Sequence, residues 1–339
     1  MPDLIPTPVT SPGAALMRLA NGYQRSMALH AAASLGIADR LRDGSMTADA
    51  LAADLGLHPG ALYRLLRALA AEGVFHEDDA RAFSLTEMGQ CLRSDAATPV
   101  GQWATSIGRP YSWQPWACLA DSIRTGGTAF EMLHGTDSWT YRAAHPEEGA
   151  IFDAAMTALS RDVARAVVAA YDFAPFTCVV DVGGGHGALL GAILAANPHL
   201  RGIVFDQAHV VQHAHPVVAA LGVEDRCLLA SGSFFDEAPE GDLILLKSIL
   251  HDWDDRRAGA ILTTCRKSLA KGGRLLVLER IVAPPNQGPD AKFTDLMMMV
   301  GPGGLERTEA EFAALFAAAG FRLVRVLPTA SRLSILEAV

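Results

Sequence analysis

The sequence is short of the features that mark secreted, membrane-spanning and nucleic-acid-binding chains. Cysteine is scarce. Cys91, Cys118, Cys178, Cys227 and Cys265 are odd in number, scattered, and form no CxxC pair. That spacing points away from a disulfide framework and from a zinc site. No run approaches the roughly 18 apolar residues that a membrane span needs. Met1 to Ala15 has no basic flank leading into an apolar core, so no signal peptide is expected. Positive charge is in deficit, 28 Lys and Arg against 37 Asp and Glu, for a formal net charge of −9. An acidic chain has no general attraction for nucleic acid or anionic lipid, so a small molecule is the expected partner. These absences together lead to the expectation of a soluble, cytoplasmic chain.

What is present favours two domains, since 339 residues is long for one and half of them are hydrophobic. Met1 to Gly13 carries four prolines and reads as a loose arm. Apolar spacing is helical from Gly22 to Leu41, and Thr47 is placed to cap a short helix. Leu62, Leu65, Leu66 and Leu69 share one face of a helix over Gly60 to Gly73. Two strand-like runs follow, Val74 to His76 and Ala82 to Thr86, around the polar turn Glu77 to Arg81. Helix, turn, helix and hairpin make a winged-helix pattern over residues 1–99. Residues 100–175 read as a mostly helical connector, and four of the five tryptophans lie there: Trp103, Trp113, Trp116 and Trp139.

From residue 176 onward the pattern is α/β. Cys178 to Val182, Gly202 to Asp206, Cys227 to Ala230, Asp242 to Leu246 and Arg274 to Glu279 read as strands, with helices between them. The expected fold is a Rossmann-like, doubly wound, largely parallel sheet, with two further strands from Phe321 and Leu333. Asp181-Val182-Gly183-Gly184-Gly185-His186-Gly187 takes the first strand into a glycine loop and a helix. Glycines let a ligand approach the backbone closely, and Asp206 at the next strand end is placed to accept ribose hydroxyls. The loop indicates a nucleoside cofactor without naming it. Lys247 and His251 follow the fourth strand on the carboxyl edge, where such sheets bind ligands. A histidine there is a candidate general base. Glu279 ends the fifth strand on the same edge and is placed to orient the imidazole. Glu306-Arg307-Thr308 offers a second carboxylate, with Thr308 and Glu311 spaced as a capping box.

Taken together, Val180 to Gly187, Gly232-Ser233-Phe234-Phe235, Leu246-Lys247, His251-Asp252-Trp253 and Glu306-Arg307-Thr308 stand in the order of a known family. The chain resembles the small-molecule O-methyltransferases of plants and actinomycetes over nearly its whole length. The resemblance implies an N-terminal dimerisation domain, a homodimer, and a class I methyltransferase domain binding S-adenosylmethionine. It implies that Asp181, Gly183 and Gly185 line the cofactor, Asp206 holds the ribose, Ser233 and Phe234 flank the adenine, and Lys247 approaches the methionine part. Met156 and Ser160 would reach the methyl-donor pocket from the preceding helix. His251 would be the base, with Glu279 and Glu306 beside it. Two positions depart from the family: Ser233 stands where Asp is usual, and Gly301 where plant members often carry Asn.

Trp103, Trp113, Trp116, Phe152 and Met298 are the candidates to line an apolar acceptor pocket. The expected reaction methylates a hydroxyl of an aromatic small molecule in natural-product (antibiotic) biosynthesis. A phenol pKa of about 10 against about 6.5 for histidine makes full deprotonation uphill by about 5 kcal/mol. The cofactor's positive charge and the carboxylate beside His251 would have to offset that. No ligand cluster suggests a metal. An N-methyltransferase or a non-methylating relative is the alternative on the same fold. A winged-helix DNA-binding regulator is a more remote one, because Gly60 to Gly73 carries only Arg64 and Arg67 as basic residues.

Overall fold

The computed structural model describes residues 11–339. The chain forms two compact units, one ending at Arg109 and one running from Pro110 to Val339, so the expected connector 100–175 contributes to both.

The arm expected from Met1 to Gly13 lies outside the described residues up to position 10. Its end differs from that expectation: Ser11 accepts a hydrogen bond from the Ala14 N–H at 3.2 Å and Pro12 opens a helix over Pro12–Ala20. Helical spacing from Gly22 holds through Ser34. Gly36, at φ 67°, then turns the chain, and only Ile37–Arg40 continues as helix. Thr47 caps Ala48–Leu55 as expected, its hydroxyl accepting the Ala50 N–H. The helix Pro59–Ala71 buries Leu62, Leu66 and Leu69, with Leu65 half-buried. Strands β1 (Met46–Thr47), β2 (Phe75–Glu77) and β3 (Ala82–Leu85) form an antiparallel sheet in the order β1-β3-β2. Phe75 and Phe83 carry that sheet's apolar face into a core with Leu51 and Leu66.

The second unit is built on a seven-stranded sheet. Its strands are β4 (Cys178–Val182), β5 (Arg201–Asp206), β6 (Cys227–Ser231), β7 (Gly241–Lys247), β8 (Leu269–Glu279), β9 (Leu323–Pro328) and β10 (Ser334–Ala338). The order is β6-β5-β4-β7-β8-β10-β9, with the first five parallel and β10 and β9 antiparallel. The Rossmann-like α/β expectation is met. β8 begins five residues before its apolar run: Gly272, at φ 81°, bends it, and Gly273 lets the Asp242 carbonyl come where a Cβ would stand 2.7 Å away. Val180, Ile244, Leu246, Leu275 and Val277 belong to one core and Val179, Leu243, Leu245, Leu276 and Leu278 to the other, so alternate residues pack opposite faces of the sheet.

Chain direction reverses across the sheet at β4, which pairs with β5 on one side and β7 on the other. The glycine loop after β4 and the His251 loop after β7 therefore emerge side by side on the carboxyl edge, the position where such sheets open a crevice. The capping box after β8 forms as expected: Thr308 Oγ1 accepts the Glu311 N–H and Glu311 accepts the Thr308 N–H at 2.7 Å. Loss of such a cap costs about 1 kcal/mol. Thr308→Ala should lower the melting temperature by roughly 2–4 °C and Thr308→Ser should not. A calorimetric scan in which Thr308→Ala melts with the unchanged protein refutes the cap's contribution.

Candidate active site

The glycine loop turns on Gly183, Gly185 and Gly187, at φ 71°, 57° and 75°. These are left-handed angles that a side chain resists. A Cβ at Gly183 would stand 2.3 Å from Ile249 Cδ1, whereas one at Gly185 would meet nothing within 4 Å. The loop is thus packed on one side and open on the other. Asp206 accepts the Gly185 N–H at 2.8 Å through Oδ2 and the Gln207 N–H through Oδ1, each oxygen retaining a lone pair. Asp181 is buried and its Oδ2 has no partner. Burial pushes it up to about 7, against the pull of Lys247. Phe234 reaches this loop, 3.7 Å from where a Gly183 Cβ would stand, and packs edge-on to Trp253. Ser233 turns its hydroxyl inward to accept the Phe235 N–H at 3.3 Å.

The helix Pro146–Ala170 touches the loop, but not through the polar group foreseen. Ser160 is buried and its hydroxyl donates to the Met156 carbonyl within the helix. The polar link is Thr157 Oγ1 to His186 Nδ1, 3.1 Å, in the turn between Met156 and Ser160. His186 was read only as part of the glycine loop and Thr157 was not named, although the three-to-four spacing along one helix face could have suggested Thr157.

His251 stands on a short loop held by two buried charges. Glu279 Oε1, at the end of β8, accepts the N–H groups of Ile249 and Leu250 at 3.0 Å and of His251 at 3.4 Å. From the other side Arg307 donates to the carbonyls of Leu250 and Trp253 at 2.9 Å and to Asp255. Gly304 completes the grip: its missing Cβ would lie 2.0 Å from the His251 carbonyl oxygen, which instead accepts the Leu305 N–H. The carboxylate bonded to the ring is therefore not Glu279, as sequence position suggested, but Glu306. His251 Nδ1 lies 2.9 Å from Glu306 Oε1 and 3.8 Å from Glu279 Oε2. Strand-end position identified Glu279, but its oxygen is occupied by backbone. Donation of Nδ1–H to Glu306 leaves Nε2 to take a proton, with Asp252 Oδ1 3.5 Å away.

Burial alone would disfavour the imidazolium. The combined charge of Glu279, Asp252 and Glu306 outweighs it and pushes His251 up to about 10. Burial likewise raises Glu279, to about 7, and Asp252, and lowers Lys247. Lys247, at the end of β7, is drawn to Asp181, Glu279 and Asp252 yet forms no ion pair with any of them. Ligand atoms of His251, Glu279 and Glu306 all lie within 4.8 Å of one another, a grouping that sequence spacing did not disclose because 55 residues separate its ends. Nδ1 and Glu306 Oε1 are engaged with each other and Glu279 Oε1 with backbone, which leaves Glu279 Oε2 and Glu306 Oε2 buried without partners.

Beside this loop lies an aromatic layer. Trp253 stacks on Trp139 at 6.1 Å between centroids, Trp139 meets Phe152 edge-on at 6.2 Å, and Phe235 meets Trp253 at 4.9 Å. Phe152 was expected here; Trp139 was noted only among the connector tryptophans and Trp253 only within the His251 motif, and neither was named as a pocket residue. Trp113 and Trp116 are half-buried on other turns of the same unit and join no aromatic pair among the described residues, and Met298 is buried in the helix Pro289–Val300. Trp103 is half-buried on a helix of the first unit, Gly101–Ile107.

Comparison with known proteins accounts for this arrangement. The model of an O-methyltransferase domain matches residues 116–322 and that of an O-methyltransferase dimerisation domain matches residues 17–95. A phenazine O-methyltransferase of Lysobacter antibioticus is 44% identical over 325 residues, 95% of each chain. The crystal structure of LaPhzM superposes with a TM-score of 0.92 at 42% identity, covering 97% of this chain and 99% of that one. An O-methyltransferase from neocarzinostatin biosynthesis, solved with S-adenosyl-L-homocysteine and 1,4-dihydroxy-2-naphthoic acid, has a TM-score of 0.77 at 37% identity, covering 93% and 95%. The glycine loop open at Gly185, the unpartnered Asp181 oxygen and the uncommitted Lys247 fit an adenosyl cofactor. The chain belongs to the S-adenosylmethionine-dependent O-methyltransferase family.

Proposed function

We propose that the protein methylates a hydroxyl of an aromatic small molecule in a natural-product pathway, with His251 as the general base. The observation that carries this reading is the imidazole fixed by Glu306 through Nδ1, which leaves Nε2, 3.5 Å from Asp252 Oδ1, to take the acceptor's proton. Two relatives support the class of acceptor: one is named for phenazine and another was solved with a naphthoic acid. Asp181, Gly183, Gly185, Asp206, Phe234 and Lys247 would hold the cofactor; Ser233, whose hydroxyl caps its own turn, and Ser160, bonded within its helix, are the weaker members. When bound, S-adenosylmethionine supplies a methyl group on a positively charged sulfur. The unpartnered carboxylate oxygens of Glu279 and Glu306 suit a site that receives positive charge.

Proton transfer needs a base that matches the phenol yet starts unprotonated. At about 10, His251 matches a phenol. That value alone only relocates the cost, because the ring would then be protonated at neutral pH. A positive charge brought into the same dry site would favour the neutral ring. The cationic cofactor would lower the proton affinity of His251, so that part of a proton leaves near pH 8, and the same charge would favour the forming phenolate. Glu306 and Asp252 remain to stabilise the imidazolium once the acceptor's proton arrives.

Residues 17–95 match a dimerisation domain, and Leu16, Met17 and Leu19 leave apolar side chains exposed on the first helix. A homodimer follows as part of this reading, and light scattering should return twice the monomer mass; a monomer at micromolar concentration would overturn it. His251→Ala should bind S-adenosylhomocysteine normally while turnover of a phenol falls by roughly 10²- to 10⁴-fold. Turnover within a few-fold of the unchanged enzyme removes the base role. Calorimetry at pH 8 in buffers of different ionisation enthalpy should detect a fraction of a proton released on binding S-adenosylmethionine, and less on binding S-adenosylhomocysteine, whose sulfur is uncharged. Equal release by the two ligands contradicts the proposed coupling.

A further inference from the structure

Arg142 is a half-buried cation with no carboxylate in contact among the described residues. It stands on the helix Ser138–Ala144, its guanidinium carbon 4.4 Å from the Trp139 ring centroid and 4.0 Å from that of Phe152. Nη2 reaches Ser138 Oγ at a weak 3.4 Å, and the Tyr111 side chain supplies a further hydrogen bond. Asp252 and Asp153 attract it from a distance, but among the described residues no carboxylate oxygen lies within 4.0 Å. Burial is the largest influence on it and pushes it down from the usual arginine range. Its neighbour adds an unmet donor: the Trp139 indole N–H is buried and has no acceptor.

Buried charges ordinarily carry a partner, and buried indole N–H groups an acceptor. Here two donors, one of them cationic, lie against each other in the layer that stacks on Trp253, two residues from the proposed base. The guanidinium carbon lies against the Trp139 and Phe152 rings, and the N–H groups not used by Ser138 and Tyr111 remain for an anion. A planar fork of N–H groups matches the two oxygens of a carboxylate.

We propose that Arg142 and the Trp139 N–H form a carboxylate subsite, so that the acceptor is a hydroxylated aromatic acid. Its ring would lie in the layer of Trp139, Phe152 and Trp253. This rests on the O-methyltransferase reading above and narrows it. The cofactor also bears a carboxylate, but the uncommitted cation drawn to Asp181, the buried acid before the glycine loop, is Lys247, whereas Arg142 is set among the rings that a flat acceptor would touch.

The test is binding to the S-adenosylhomocysteine-loaded protein, comparing 3-hydroxy-2-naphthoic acid with 2-naphthol by calorimetry. The acid should bind about 10- to 100-fold more tightly. Arg142→Gln should abolish that preference, while Trp139→Phe, which keeps the ring and removes the N–H, should reduce it. Arg142→Lys keeps the charge without the fork and should retain part of it; it also serves if Arg142→Gln fails to fold. S-adenosylhomocysteine affinity should be unchanged in all three. A wild-type protein with no preference for the acid, a preference that survives Arg142→Gln, or a loss of S-adenosylhomocysteine affinity instead would each overturn the subsite. Failure of the methyltransferase reading is separate: no S-adenosylhomocysteine would form from S-adenosylmethionine with either phenol, whatever the binding preference.

Discussion

Two buried charges of opposite sign grip the loop between Lys247 and Asp254, and the site depends on that grip. A loop backbone presents unpaired N–H and C=O groups, which are costly to bury without partners. Glu279 takes up the N–H groups and Arg307 the carbonyls. Neither charge would be tolerable alone in so dry a place; each is spread over several hydrogen bonds to one short segment. The segment is also bent where β7 ends, with Ser248 in a left-handed conformation at φ 55°, an unfavourable angle that surrounding structure must enforce. From this follow the orientation of the His251 ring, the placement of Trp253 against Trp139, and the need for glycine at position 304.

The same economy of partners explains why the electrostatics are unbalanced. With the backbone using Glu279 Oε1 and the ring using Glu306 Oε1, the second oxygen of each carboxylate is left unmatched. Asp181 shows the same pattern across the crevice. Well-satisfied interiors contain few such atoms, and their concentration at one sheet edge is what a binding site looks like before its ligand is counted. Negative charge is in excess around His251, which raises its proton affinity; positive charge is held back on Lys247 and Arg142, neither of which closes an ion pair with it.

Strand ends were the legible part of the sequence. A parallel sheet gathers the carboxyl ends of its strands, so Asp181, Asp206, Lys247 and Glu279 could be assigned to one edge from hydrophobic runs alone. The glycine loop could be read because left-handed turns leave few choices of residue. What could not be read depends on contacts between distant segments. Nothing local distinguishes Glu279, which serves the backbone, from Glu306, which serves the ring. Arg307 reads as a solvated charge beside a helix cap until its carbonyl partners 54 and 57 residues away are known. Thr157 and His186 meet across 29 residues. Gly36 ended a helix whose apolar spacing continued past it, because one positive φ outweighs a favourable pattern.

The two sides of the proposed reaction are carried by different kinds of structure. The cofactor side and the base are set by strand ends and by the Glu279 and Arg307 grip, where a small displacement would disturb many hydrogen bonds at once. The aromatic layer draws Trp139 and Arg142 from a seven-residue helix and Phe152 from the opening turns of the next. Short helices and connecting turns tolerate change better than a sheet core. A fold arranged this way can exchange acceptors by altering Trp139, Arg142 or Phe152 while the base and the methyl donor keep their geometry. The guanidinium without a carboxylate partner and the unpartnered indole N–H then become intelligible as features of this chain's own acceptor, added to a scaffold whose chemistry does not require them.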